Sequence, residues 1–258
     1  MEYEEPRMTK QPLAITKVPE VTLGFWIVKV AATTLGETGG DAVSMSMNLG
    51  YLIGTAIFAV IFIAAVTAQV RAKQFYPPLY WLTIIATTTV GTTLADFADR
   101  SLGIGYAGGS SILLALVLVS LLAWYRTTGS VSVSTVSSPK TEVFYWVTIM
   151  FSQTLGTALG DWTADSAGFG YSGAAVLFGG LLLVLAIAHY RTRISKTLLF
   201  WCAFILTRPL GAVVGDFLDK PVNHGGLALS RYTASLALVL FIAAWMAFFR
   251  QRPATAAH

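Results

Sequence analysis

Four times in this chain a tryptophan is followed ten residues later by a glycine, and five residues after that by an aspartate: Trp26/Gly36/Asp41, Trp81/Gly91/Asp96, Trp146/Gly156/Asp161 and Trp201/Gly211/Asp216. Such self-similarity means that one small unit has been copied in tandem, so the fold must be an assembly of like pieces. The tryptophans stand 55, 65 and 55 residues apart. The unit therefore reads as a two-helix hairpin, and the larger unit as a pair of hairpins repeating every 120 residues. The ten extra residues fall in the Ser/Thr/Val-rich stretch 127–139, ahead of Pro139, which reads as a linker between halves.

The units are apolar enough to lie in lipid. The chain is 55% hydrophobic and 12% charged, against about 25% charged in ordinary globular domains. Eight apolar stretches, about 20–38, 49–70, 79–97, 105–125, 143–162, 170–190, 197–217 and 229–249, each have roughly the length that an α-helix needs to cross a bilayer. The expected architecture is all-α and polytopic, with eight transmembrane helices. Its parts are an N-terminal tail (1–19), a first half (20–125), a linker (126–142), a second half (143–250) and a C-terminal tail (251–258). The first twenty residues carry Glu2, Glu4, Glu5, Arg7, Lys10 and Lys17, a polar tail that does not read as a signal peptide. A single cysteine, Cys202, excludes an intrachain disulfide, and packing is the role expected of it.

Charge is distributed by side. Arg7, Lys10, Lys17, Arg71, Lys73, Arg126, Lys140, Arg191, Arg193, Lys196, Arg250 and Arg252 gather at one end of the segments, while the other has only Arg100, Lys220 and Arg231. Lys29 and Arg208 fall inside helices. The positive-inside rule then places both termini in the cytoplasm. Trp26, Trp81, Trp124, Trp146, Trp201 and Trp245 fall near the basic boundary, where an aromatic belt is expected. The aspartates all lie at the opposite end. No nucleotide-binding loop, catalytic motif or basic nucleic-acid patch stands in the sequence, so neither an enzyme nor a nucleic-acid binder is expected.

Each unit holds an even number of helices, so every copy enters the membrane in the same direction. The repeats are parallel, related by an axis along the bilayer normal. Equivalent residues then lie at equal depth, and form a ring if the odd-numbered helices line the axis. The four-fold Trp-x9-Gly-x4-Asp pattern, as in Gly156-Thr-Ala-Leu-Gly160-Asp161-Trp162, resembles a family of bacterial membrane proteins. Its members carry four tandem copies of a repeat of unknown function, number 347, each with two transmembrane regions. The resemblance covers about residues 20–250 and implies a multi-pass protein of the bacterial inner membrane. It implies nothing about mechanism.

The odd helices carry more polar residues than lipid would select. Three positions before each glycine stand Thr33, Thr88, Gln153 and Arg208, and one after it stand Glu37, Thr92, Thr157 and Ala212. Five after it comes the aspartate. Steps of four keep these on one helix face, and in the first copy the stripe extends to Lys29. Two readings stay open. The stripes line a polar cavity or conduction path, or their hydroxyls and amides only tie helices together. Gly36/Gly40, Gly91/Ala95, Gly156/Gly160 and Gly211/Gly215 add a small-xxx-small pair per copy, predicting close backbone approach.

The acids lie about 15 residues, roughly 22 Å, from the tryptophan layer, in the outer third, where water is expected to offset part of the burial cost of about 2.5–3.5 kcal/mol. Four acids at helix C-termini add like charge to like dipoles. Arg208 is expected to reach only partway, which leaves a bound cation or retained protons to supply the rest. Asp99, Asp165 and Asp219 form either an outer vestibule or helix–loop hydrogen bonds. Glu37 breaks the internal symmetry and is the leading coordinating acid. Carboxylates, hydroxyls and carbonyls are hard donors for Mg²⁺, Mn²⁺ or Ca²⁺. Met45 and Met47 would add soft sulfur, although packing at the outer boundary is the plainer role, as a loop position is for His224.

The sequence thus points to a transporter or channel for a hard cation, with manganese the leading ion and protons a candidate co-substrate. No resident cofactor is expected, and oligomeric state and direction stay open. Glu37, Asp41, Asp96, Asp161 and Asp216 are the expected metal-binding layer, with Arg208 and Lys29 tuning the charge beneath it. Two alternatives remain: a non-transporting scaffold or sensor held by protonated carboxyl hydrogen bonds, and an intramembrane enzyme using paired acids such as Asp161/Asp165.

Overall fold

The computed structural model describes residues 16–254. Glu2, Glu4, Glu5, Arg7 and Lys10 of the expected polar tail lie outside the described residues. Eight long α-helices account for most of the rest: α1 (Leu23–Asp41), α2 (Gly50–Arg71), α3 (Pro77–Asp96), α4 (Tyr106–Thr128), α5 (Pro139–Asp161), α6 (Gly170–Arg191), α7 (Lys196–Asp219) and α8 (Arg231–Phe248). Local chemistry sets the starts of the odd helices. Thr22 and Ser195 cap α1 and α7 through their hydroxyls, and Ser138 and Thr141 form a reciprocal capping box on α5. Proline occupies the first turn of α3 and α5, where its missing N–H removes nothing.

The odd helices form a closed ring in the order α1–α3–α5–α7, and the even helices pack outside it. The packing departs from the expected hairpins. α2 lies against α3, α4 against α5, α6 against α7, and α8 returns to α1. Each outer helix thus covers the inner helix of the next copy, and the chain interlocks around the ring.

Close approach around the ring depends on the repeated glycine. A β-carbon at Gly36 would meet the Thr88 side chain, at Gly91 the Gln153 backbone, at Gly156 Arg208, and at Gly211 Thr33. The residue three before the glycine in one copy therefore sits in the glycine notch of the previous copy, and the cycle closes from α7 to α1. One turn on, the same handoff recurs: Gly40 against Thr92, Gly160 against Ala212 and Gly215 against Glu37. Small residues admit these side chains because backbones can approach only where a Cβ is missing.

Five helices are long and apolar enough to cross a membrane: α2, α4, α6, α7 and α8. Among the outer helices, leucines, isoleucines and valines such as Leu52, Val60, Leu118 and Leu183 face outward and exposed, the pattern of a surface meant for lipid. α1, α3 and α5 carry the threonine-rich stripe instead, and nearly all of it is buried in the ring.

Four of the six tryptophans expected in a belt turn inward instead. Trp81, Trp124, Trp146 and Trp201 are buried across the basic end of the ring, packing edge-on with Tyr80, Tyr145, Phe200 and one another and, for Trp81, at a tilt against Phe25. Filling the space between four converging helices takes large rings, and that demand outweighs the interfacial preference of tryptophan. The Tyr80 and Tyr145 hydroxyls share a 2.6 Å hydrogen bond in this layer.

Three extended segments then cross beneath it. Thr16 and Lys17 hydrogen-bond to Val133 and Val136, and Glu20 and Ala254 exchange backbone bonds with Arg252 and Val18. Lys17 Nζ donates to the terminal carbonyls of Gln69, Val70 and Ala72 and pairs with Glu142 at 2.7 Å. The stretch expected as a free linker is thus in part a cap: Val133 and Val136 are buried.

Candidate site: a carboxylate layer on the ring axis

α1, α3 and α5 each run past their aspartate into a five-residue π turn, closed by Met47 N–H to Ala42 C=O, Leu102 to Phe97 and Ala167 to Trp162. Left-handed residues then reverse the chain: Asn48 and Gly50, Gly103 and Gly105, Gly168 and Gly170. This shared exit fixes Asp41, Asp96 and Asp161 at one level, and Asp216 joins them from α7. All four are 1–3% exposed. They are therefore fully enclosed, not partly hydrated as their depth suggested, because the ring is too tight to admit solvent beside them.

Enclosure is offset by bases, which corrects the expectation that only a cation or protons were left to do it. Arg100 reaches Asp96 at 3.0 Å and Asp161 at 3.2 Å, joining α3 to α5. Lys220 reaches Asp41 at 2.7 Å and Asp216 at 2.9 Å, joining α7 to α1. The two are equivalent: each stands four residues after its aspartate, and they are 120 positions apart. Burial alone would depress the Lys220 ammonium, but Asp216, Asp41 and Asp219 outweigh it and hold Lys220 well above the ordinary lysine range. Tyr51 and Tyr106 accept from Arg100 and steady it.

One turn deeper, Arg208 is fully buried on the axis. Its Nη2 donates to Glu37 at 2.9 Å, to Thr92 at 2.5 Å and to Thr157 at 2.6 Å, and Nη1 donates to the Thr33 carbonyl. Residues from all four inner helices thus converge on one guanidinium. Thr33, Thr88, Thr92, Gln153 and Thr157 are all buried. Thr33 and Thr92 also donate to carbonyls of their own helices.

Lys29 lies deeper still. Among the described residues its Nζ has no hydrogen-bond partner, and it stands 4.1 Å from the centre of the Phe204 ring, whose π face partly compensates the charge. The side-chain amide of Gln153 and the Thr88 hydroxyl are likewise buried without partners among the described residues.

The outer acids separate. Asp219 pairs with Arg231 at 2.9 Å, and Arg231 stands 3.7 Å from Asp41. Asp99 packs against Gly109 at the start of α4, whereas Asp165 is exposed. Asp219 thus ties the end of α7 to the first residue of α8, and of the three outer acids Asp165 alone is exposed.

One carboxylate oxygen each from Glu37, Asp41 and Asp216 lies within 4.8 Å of the other two. Asp41 Oδ1 is buried with no hydrogen-bond partner among the described residues. Around the axis, the carboxylates Glu37, Asp41, Asp96, Asp161 and Asp216 face the bases Arg100, Arg208 and Lys220. Carboxylates thus outnumber bases in this buried layer, even with Arg231 counted beside Asp41. Arg100 and Lys220 were not anticipated as site residues. Their signal was in the sequence: a base at i+4 from the aspartate, in the second and fourth copies only.

The comparisons agree with the internal symmetry. No curated protein and no solved structure matches the chain at a significant level. The family model described as Repeat of Unknown Function (DUF347) matches four times, over residues 24–75, 79–130, 144–195 and 199–252. Each match opens two residues before the repeated tryptophan and takes in one inner and one outer helix. With nearly the whole described chain so accounted for, the protein belongs to the DUF347 repeat family.

Proposed function

We propose that the protein is a carrier in the bacterial inner membrane for a hard divalent cation, with Mn²⁺ the leading candidate, and that all eight helices span the bilayer with both termini in the cytoplasm. It acts by binding and translocation, not by catalysis, and needs no resident cofactor. One observation carries the reading: oxygens of Glu37, Asp41 and Asp216 converge, with Asp41 Oδ1 unpartnered among the described residues, inside a cluster where carboxylates outnumber bases. Hard oxygen donors and that excess of acids suit a small divalent ion. Asp96 and Asp161 complete the acidic layer, and protons are the natural exchange partner for so many enclosed carboxyl groups.

A carrier fits better than an open pore. Arg100 and Lys220 cover the acids from the acidic end, Arg208 places a fixed positive charge on the axis, and the aromatic layer fills the basic end. A cation would have to displace Lys220 from Asp41 and Asp216 to bind, and an axial arginine repels it from moving further without a conformational change. The test is Mn²⁺ uptake into proteoliposomes, together with Mn²⁺-dependent thermal stabilisation of purified protein. Wild type should show both, and Asp41→Asn, which leaves Arg208 paired with Glu37 and Lys220 with Asp216, should lose both while remaining monodisperse.

The ion pairs themselves favour a second reading, a scaffold whose acids and bases tie four helices together. Stability that varies with pH but ignores Mn²⁺, with no uptake by wild type, would select that reading.

A further inference from the structure

The ring has a lipid-facing cleft that its symmetry mate does not match. Between α1, α6 and α7, a groove of 390 Å³ opens at the basic end, walled by Trp26 and Val30 of α1, Leu182 and Ala186 of α6, and Leu199 and Ala203 of α7. It runs from Lys196 to Thr207 along α7, about 16 Å at 1.5 Å per residue. One leaflet of a bilayer core is about 15 Å thick. The groove therefore has the length of an acyl chain lying in one leaflet.

Its rim has the chemistry of a headgroup site. Lys196 and His189 line the mouth, with Lys196 donating to the His189 carbonyl. Arg191 and Arg193 stand exposed beside them. The equivalent groove across the ring, between α2 and α5, is 270 Å³ and is lined by Phe62, Val66, Val147 and Met150 with no Lys, Arg or His. There the position of Lys196 is taken by Tyr76, and that of His189 by Gln69, which is buried against Lys17. The flanking bases are matched, since Arg71 and Lys73 stand exposed where Arg191 and Arg193 do, so Lys196 and His189 in the lining itself are what set this mouth apart.

We infer that the cleft between α1, α6 and α7 is a binding site for one anionic phospholipid, its acyl chain along Val30, Ala186 and Ala203 and its phosphate at Lys196. Basic pockets between helices hold acidic headgroups in this way. The inference does not depend on the cation reading, because it uses no residue of the carboxylate layer.

Detergent-purified protein should be offered phosphatidylglycerol or phosphatidylcholine with identical chains, and retained lipid counted by native mass spectrometry. Wild type should keep one phosphatidylglycerol, about tenfold in preference to phosphatidylcholine, the scale that one or two bases at a lipid surface supply. Lys196→Gln should erase the preference. Ala203→Phe should fill the groove and remove the retained lipid, and Ala186→Phe, from the opposite wall, reads the same should the first variant aggregate. Val147→Phe, in the uncharged groove, should change nothing. Equal retention of the two lipids by wild type, or retention unaffected by both groove-filling variants, overturns the inference. So does loss of a dimer instead of a lipid, which would assign the groove to a second copy of the chain.

Discussion

At the residue scale the most exacting position is Arg208. Removing one partner from a buried ion pair leaves the other uncompensated, at about 3–5 kcal/mol. Arg208→Met should therefore destabilise the protein by that amount, and Arg208→Met combined with Glu37→Leu should recover much of it. Thermal unfolding in detergent would show the coupling, and additive losses would mean that the two side chains do not act as a pair. Lys220 gives a pH statement. Its folded pKa is raised above the unfolded value, so its contribution is complete below about pH 10 and is lost only as pH climbs through the higher folded value. Stability should show no Lys220-dependent fall between pH 7 and 10 when wild type and Lys220→Gln are compared across that range. The carboxylate positions were legible because each repeats at a fixed offset. The bases were harder to see, since Arg100 and Lys220 differ in type and each occurs in only one copy of each pair.

At the scale of the element, glycines that look alike in the sequence differ in what surrounds them. A methyl at Gly91 would stand 3.0 Å from the backbone of Gln153 and Thr154, whereas at Gly39 nothing lies within 4 Å. Gly91→Ala should cost about 1–3 kcal/mol by overpacking. Gly39→Ala should be neutral or should gain up to about 1 kcal/mol from helix propensity. Comparing the two melting points checks this, and equal shifts would contradict the notch packing. Gly105 tests the loop, since its φ of 76° and ψ of 153° are readily adopted only by glycine and Gly105→Ala should lose about 1–3 kcal/mol. Helix number, boundaries and the glycine stripe were readable from periodicity. The π turns were not, because a single inserted backbone position leaves no compositional trace. Nor was the tryptophan core, because a tryptophan near a boundary looks the same whether it turns to lipid or to the axis.

Across the whole molecule, tandem copying was plain and its assembly was not. A sequence shows which helices follow one another, but an outer helix of uniform apolarity has no marked face to choose its neighbour. In the structure α4 lies on α5 and α8 on α1, so each half of the chain contributes an outer helix to the other. Fragments 1–130 and 131–258 should copurify when coexpressed and should each aggregate when expressed alone, as size-exclusion chromatography would show. Independent monodisperse halves would count against the interlocked ring.

The placement of Arg100 and Lys220 has a mechanical consequence. They staple α3 to α5 and α7 to α1, which leaves the α1/α3 and α5/α7 boundaries free of any such clasp at the acidic end. If that mouth parts, the yielding seams are those two, and the rigid jaws are the pairs α3–α5 and α7–α1. The jaws would straddle the duplication junction, so the pieces that move would not be the pieces that were copied.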